Sequence, residues 1–148
     1  MQIRQFMEQY GRKTEEIEAL QAKIAELRAH AEKCTSVLSL APGGNAYNDS
    51  RMEALVVKIN DLEQQLGILW EERGGVYIDI VSLLSEISDE RCRRVLEMRY
   101  LELELFEDIA NDLAVSFTTV YRIHRTGLEA AQKVLKKRDK SFFEKTAK

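Results

Sequence analysis

The sequence predicts an all-α protein: a long N-terminal antiparallel helical hairpin, coiled-coil-like, followed by a C-terminal helix-turn-helix domain. Three observations carry that expectation. Apolar residues recur at alternating steps of three and four from Ile3 to Ile87, with few interruptions. One proline and seven glycines stand in a chain of 148 residues that is 32% charged, a composition of helix formers with few breakers. The segment Phe106–Ile123 spaces its apolar residues as two short helices crossing over a tight turn require.

The first apolar run is Ile3, Phe6, Tyr10, Ile17, Leu20, Ile24, Leu27, Ala31, Cys34 and Leu38, broken only by Lys13. Glu, Lys and Arg fill most other faces, so residues 3–38 read as one amphipathic helix. Ala41-Pro42-Gly43-Gly44-Asn45 ends it. Ser50-Arg51-Met52-Glu53 reads as a capping box that restarts the helix, with Ser50 at the cap. A second run follows at Met52, Leu55, Ile59, Leu62, Leu66 and Leu69. It continues through Val76, Ile80, Leu83 and Ile87, with Arg73 out of pattern. Gly74-Gly75 interrupts this run, and each glycine costs roughly 1 kcal/mol in a helix interior. A kink or helix boundary is expected there, where the arm meets the C-terminal domain.

Folding the two runs back on each other with the tip at Pro42–Asn48 places Leu27 near Leu62 and Leu20 near Leu69. Two helices leave half of each seam in water, so a homodimer through the hairpin is expected. A plain spacer or a partner-binding arm are the other readings of this half. The organisation predicted is therefore residues 1–75 as hairpin and oligomerisation arm, 76–140 as helix-turn-helix domain, and 141–148 as a polar tail. Within 76–140, helices are expected at Tyr77–Ile87, Arg91–Leu101, Leu103–Leu113 and Phe117–Lys137, with Ser88-Asp89-Glu90 as a capped turn.

The helix pair near the C-terminus is the most informative part. Ile109, Ala110 and Leu113 share one helix face, Ala114-Val115-Ser116 makes the turn, and Val120 and Ile123 share the next face. Ala110 supplies the small residue at the crossing, Val115 the apolar plug, and Ser116 the cap for the amides of Thr118 or Thr119. Phe117, Thr118, Thr119, Tyr121, Arg122 and Arg125 are left pointing outward, where a recognition helix would read a major groove.

Charge agrees with that placement. The net charge is -3 overall, but residues 115–140 hold seven Lys/Arg against two Asp/Glu, whereas residues 1–75 hold nine against twelve. A polyanion partner, double-stranded DNA, therefore belongs at the C-terminal end. Lys133, Lys136 and Lys137, with Arg138 and Lys140, follow the expected reader as phosphate anchors, or as solvated cations suited to a helix C-terminus. The candidate DNA-binding set is Thr118, Thr119, Tyr121, Arg122, Arg125, Lys133, Lys136 and Lys137.

The segment Ile87–Leu135 resembles region 4 of bacterial sigma-70 family factors. The resemblance rests on Ser88-Asp89-Glu90-Arg91, Val95 to Tyr100, Phe106-Glu107-Asp108-Ile109-Ala110, Leu113-Ala114-Val115-Ser116 and Val120 to His124. The whole chain is similar to phage and prophage regulators of the ArpU-like and RinA-like kind, through Ala41 to Asn45, Met52 to Leu55, Lys58-Ile59 and Arg122 to Leu128. That resemblance implies transcriptional control of phage genes in a bacterial host. Phe117-Thr118-Thr119 stands where a housekeeping sigma factor carries charged residues, so no promoter specificity is carried over. No counterpart of a promoter-melting region is visible, which makes activator or repressor the better description.

Enzymatic chemistry finds no support: no phosphate loop, metal-ligand spacing or nucleophile motif is present, and no cofactor or metal is expected. Cys34 and Cys92 read as core or surface thiols, Trp70 as hairpin core or partner surface, and His124 as a solvated residue or a phosphate contact. Charges break up the first sixteen residues and no apolar run approaches a membrane span, so no membrane association and a cytoplasmic location are expected. The rival reading is a helical interaction or assembly protein, either an RNA polymerase adaptor or a small terminase-like packaging subunit.

Overall fold

The computed structural model describes the backbone of residues 1–40 and 46–146 and the side chains of 1–35 and 49–141. Among the described residues five helices follow in order: α1 (Ile3–Leu40), α2 (Ala46–Ser85), α3 (Glu90–Tyr100), α4 (Phe106–Leu113) and α5 (Phe117–Thr146). No strand occurs among the described residues. The protein is all-α, as the heptad spacing and the scarcity of breakers require. The expected turn at Ala41–Asn45 and the tip at Pro42–Asn48 lie outside the described side chains.

The described chain divides into two compact units, one of residues 13–73 and one of residues 1–12 with 74–148. In the first, Ile24, Ile59 and Leu62 are buried together, with Leu20, Leu27 and Leu66 against them. Contacts run in opposite directions along α1 and α2: Lys13 Nζ lies 2.7 Å from Glu72 Oε2, and Arg28 pairs with Glu63. The two seam residues out of pattern are thereby explained. Lys13 meets Glu72, and Arg73 donates to Thr14 Oγ1 at 3.4 Å with its guanidinium 4.1 Å from the Trp70 ring centre. These pairs are partly exposed and each contributes about 0–1 kcal/mol, so the apolar rows hold the helices together.

The second unit is built on two adjoining cores. Ile3 and Met7 of α1, Ile80, Leu83 and Leu84 of α2, Leu96 and Tyr100 of α3, and Leu128, Ala131 and Leu135 of α5 share the larger one. Val95 and Met98 of α3, Ile109 and Ala110 of α4, and Val120 of α5 form the smaller one. Helix α3 serves both because Leu96 and Tyr100, four apart, lie on one face while Val95 and Met98, three apart, lie on another. Asp89 caps α3, its carboxylate accepting from the amides of Arg91 and Cys92.

Several expectations are corrected. Residues 1–12 join the C-terminal unit rather than the arm, because Ile3 and Met7 are buried there and the Ile3 amide donates to Gln132 Oε1 at 2.9 Å. Ser50 is not a cap, since α2 already begins at Ala46. Gly74-Gly75 is no helix boundary, since α2 runs through it, but the division between the two units does fall at Gly74. Leu103 does not start a helix, having φ 58°, and α4 begins at Phe106. Residues 141–146 are the end of α5 rather than a separate tail.

Candidate nucleic-acid interface

Helix α4 stops at Leu113 because Ala114 turns left-handed at φ 54°, its amide bonded to the carbonyls of Ala110 and Asn111. The Val115 amide reaches back to Ala110 O at 3.1 Å, which closes the turn. Ser116 Oγ accepts from the Thr119 amide at 3.2 Å and so caps α5, as its position predicts. Beneath, Ile109 and Val120 are fully buried and Ala110 is nearly so, which sets how closely α4 and α5 approach.

Val115 does not plug the turn. It is 37% exposed and lines an open groove of about 450 Å³ with Leu113, Ile123, Arg91, Arg93 and Arg94. Val120, fully buried, fills the space between α4 and α5.

The α5 face opposite Val120 carries the expected residues. Thr118, Tyr121, Arg122 and Arg125 are exposed and Thr119 is half-buried. Thr119 Oγ1 lies 2.7 Å from Ser116 Oγ, so its hydroxyl belongs to the cap. Arg122 and Arg125 are one turn apart, as are Thr118 and Arg122. Lys133, Lys136 and Lys137 are exposed further along. Arg138 instead binds Glu86 Oε2 at 3.1 Å and Ser82 Oγ at 3.0 Å, tying α5 to α2.

His124 is neither solvated nor available to a phosphate. It is 6% exposed, and its Nε2 bonds the Tyr100 hydroxyl at 2.8 Å. Burial above all, and then the positive charges of Arg4 and Arg99, lower its pKa to about 4, so it is neutral at physiological pH. Burial likewise raises the Tyr100 pKa and keeps that phenol protonated. A usable signal was present in the sequence. His124 sits four residues after Val120 and four before Leu128, in step with Ala131 and Leu135, which marks the inward face of α5.

An aromatic array absent from the sequence expectations supports the outward face. Phe106 stacks on Tyr121 at 4.6 Å between centroids, Phe117 meets Tyr121 edge-to-face at 4.7 Å, and the Arg99 guanidinium lies 4.4 Å from the Phe106 ring centre. The Cys92 thiol is buried and its pKa is raised, by burial first and Asp89 next, which marks it as an inert core residue.

Among the described residues no helix is long and apolar enough to cross a membrane, and no three His, Cys, Asp or Glu side chains gather as metal ligands. No protein-family model, curated protein or solved structure matches the chain.

Proposed function

We propose that this chain is a sequence-specific, duplex-DNA-binding transcriptional regulator of the sigma-factor-like phage or prophage kind. Helices α4 and α5 act as a helix-turn-helix, and α5 reads DNA from Phe117 onward. One observation carries the reading. A helix whose inner face is packed against α3 and α4 presents Thr118, Arg122 and Arg125 together on its exposed outer face. Guanidinium groups there can take guanine edges bidentately, while Thr118 and Tyr121 add hydroxyl contacts. Lys133, Lys136 and Lys137 extend the positive surface and anchor phosphates. Residues 13–73 serve as a helical hairpin that pairs two copies, placing two reading helices on one duplex in the cytoplasm of a bacterial host.

Titration of a duplex selected from a random library, against a scrambled duplex, tests this. Arg122→Ala and Arg125→Ala should each cost roughly 1–3 kcal/mol and narrow the gap between the two duplexes. Lys136→Ala and Lys137→Ala should weaken both duplexes alike and lower the salt slope by about one for each phosphate no longer neutralised. Parent-like binding by the double arginine variant refutes base reading by α5.

A second reading is favoured by the exposed Val56, Val57 and Ile68 on α2, which are 48%, 59% and 57% accessible. A helical assembly protein, whether an RNA polymerase adaptor or a small terminase-like packaging subunit, would use such a surface for protein contact. Loss of assembly on Val57→Glu and Ile68→Glu, with DNA binding absent in the parent, would select it.

A further inference from the structure

Phe117, Tyr121 and Arg125 follow one another at steps of four, so they form a ridge along α5 beside the polar pair Thr118 and Arg122. The first two members are large apolar rings left 44% and 47% exposed at the end of α5 that would enter a groove first. Folding does not require that exposure. Yet the rings are fixed, Phe117 edge-to-face against Tyr121 at 4.7 Å and Tyr121 stacked on Phe106 at 4.6 Å. Rings already held by neighbours lose little side-chain freedom on binding, which suits them to recognition.

The polar capacity of this end is small. The Thr119 hydroxyl is taken by Ser116, 2.7 Å away, which leaves the Thr118 hydroxyl and the Tyr121 phenol as the donors of the first turn. An aromatic tip of this kind has few complements on duplex DNA. Base edges in the major groove are polar except for one group, the C5 methyl of thymine. Stacking on unpaired bases needs open ring faces, and Phe106 covers one face of Tyr121.

We propose that the Phe117–Tyr121 ridge reads the C5 methyl groups of pyrimidines in the major groove, accepting thymine and rejecting its unmethylated counterpart. Arg122 and Arg125 hold the helix at the adjoining base edges and phosphates. This rests on the DNA-reading role of α5 and assigns to its first turn the recognition of an apolar rather than a polar base feature.

A thymine-to-deoxyuridine scan tests the assignment, because it deletes single methyl groups and leaves every hydrogen-bonding atom in place. The full chain is used to select a tight duplex from a random library. Each thymine of that duplex is then replaced in turn, and affinity is read by fluorescence anisotropy. One or two positions should lose about four-fold each, the equivalent of one buried methyl group. At those positions Phe117→Ala should bind the thymine and uracil duplexes equally, whereas Phe117→Leu, still apolar, should keep part of the preference. The scan itself needs no variant, so a misfolded substitution does not blunt it. Parent-like binding of every uracil duplex overturns the methyl reading while leaving DNA recognition by α5 intact. Failure to select any duplex overturns both.

Discussion

The hydroxyl of Tyr100 lies 2.8 Å from Nε2 of His124, joining α3 to α5 inside the C-terminal unit. Phe106 closes over the imidazole edge-on, with ring centroids 5.0 Å apart. A buried histidine is tolerated here because its polar nitrogen has a partner and its charge is absent.

That arrangement makes stability depend on pH with a definite sign. The His124 pKa is lowered to about 4 from an ordinary 6.5. Between those values the unfolded chain takes up a proton that the folded chain refuses. The contribution is therefore intact above the ordinary value and is lost as pH falls toward the folded one. The full loss is about 3 kcal/mol. Urea unfolding of the parent and of His124→Gln should show their difference moving against the parent by about 2–3 kcal/mol between pH 7.5 and pH 4.5. A difference that stays constant with pH would refute this role.

Glu104 acts in the opposite sense. Desolvation of its carboxylate, and next the carboxylates of Asp112 and Glu102, push its pKa up to about 7, and its Oε2 has no hydrogen-bond partner among the described residues. A raised carboxyl pKa means that the folded chain holds the proton more tightly, so ionisation at alkaline pH opposes folding. Glu104→Gln should raise the melting temperature near pH 8 and change it little near pH 5, where the parent carboxyl is already neutral in the folded state. Equal shifts at both values would show that titration is not the cause.

Glycines of α2 and α5 should respond oppositely to alanine. A Cβ at Gly75 meets nothing within 4 Å, so Gly75→Ala should stabilise by about 1 kcal/mol through helix propensity. At Gly127 the same atom would sit 3.3 Å from Cys92 Cβ and 3.2 Å from Cδ1 of the fully buried Leu96. Crowding there should outweigh propensity and cost about 1–3 kcal/mol net. Thermal melts of the two variants check both signs.

Within residues 13–73 the burden falls on a few side chains. Leu62, 4% exposed beside Ile24 and Ile59, should cost about 2–5 kcal/mol when replaced by alanine. Val57, 59% exposed on the same helix, should cost less than about 0.5 kcal/mol. Similar losses at both positions, measured by denaturant unfolding, would show that the buried row does not hold α1 and α2 together.

Helix content was legible from the sequence by itself, because helical periodicity depends only on residues three and four apart. Every seam position of the two runs with a described side chain is buried or half-buried, from Ile3 to Cys34 and from Met52 to Ile87. The Asp89 turn and the Ser116 cap were legible for the same reason, each being a bond to an amide within three residues. Both exceptions to the seam, Lys13 and Arg73, needed their partners across the pair, Glu72 and Thr14, each 59 residues distant.

Tertiary packing decided the rest. Met7 lies outside the heptad run yet is fully buried, because the first turns of α1 meet α2, α3 and α5 in one core. His124 went inward because the inner face of α5 is fixed by α3 and α4, and Tyr100 stood ready to satisfy its nitrogen. Val115, beside a left-handed Ala114, is 37% exposed, whereas Val120 is fully buried in the smaller core. A sequence states how apolar each helix face is. Which face meets which neighbour depends on contacts between residues far apart in the chain, and only the assembled fold makes those.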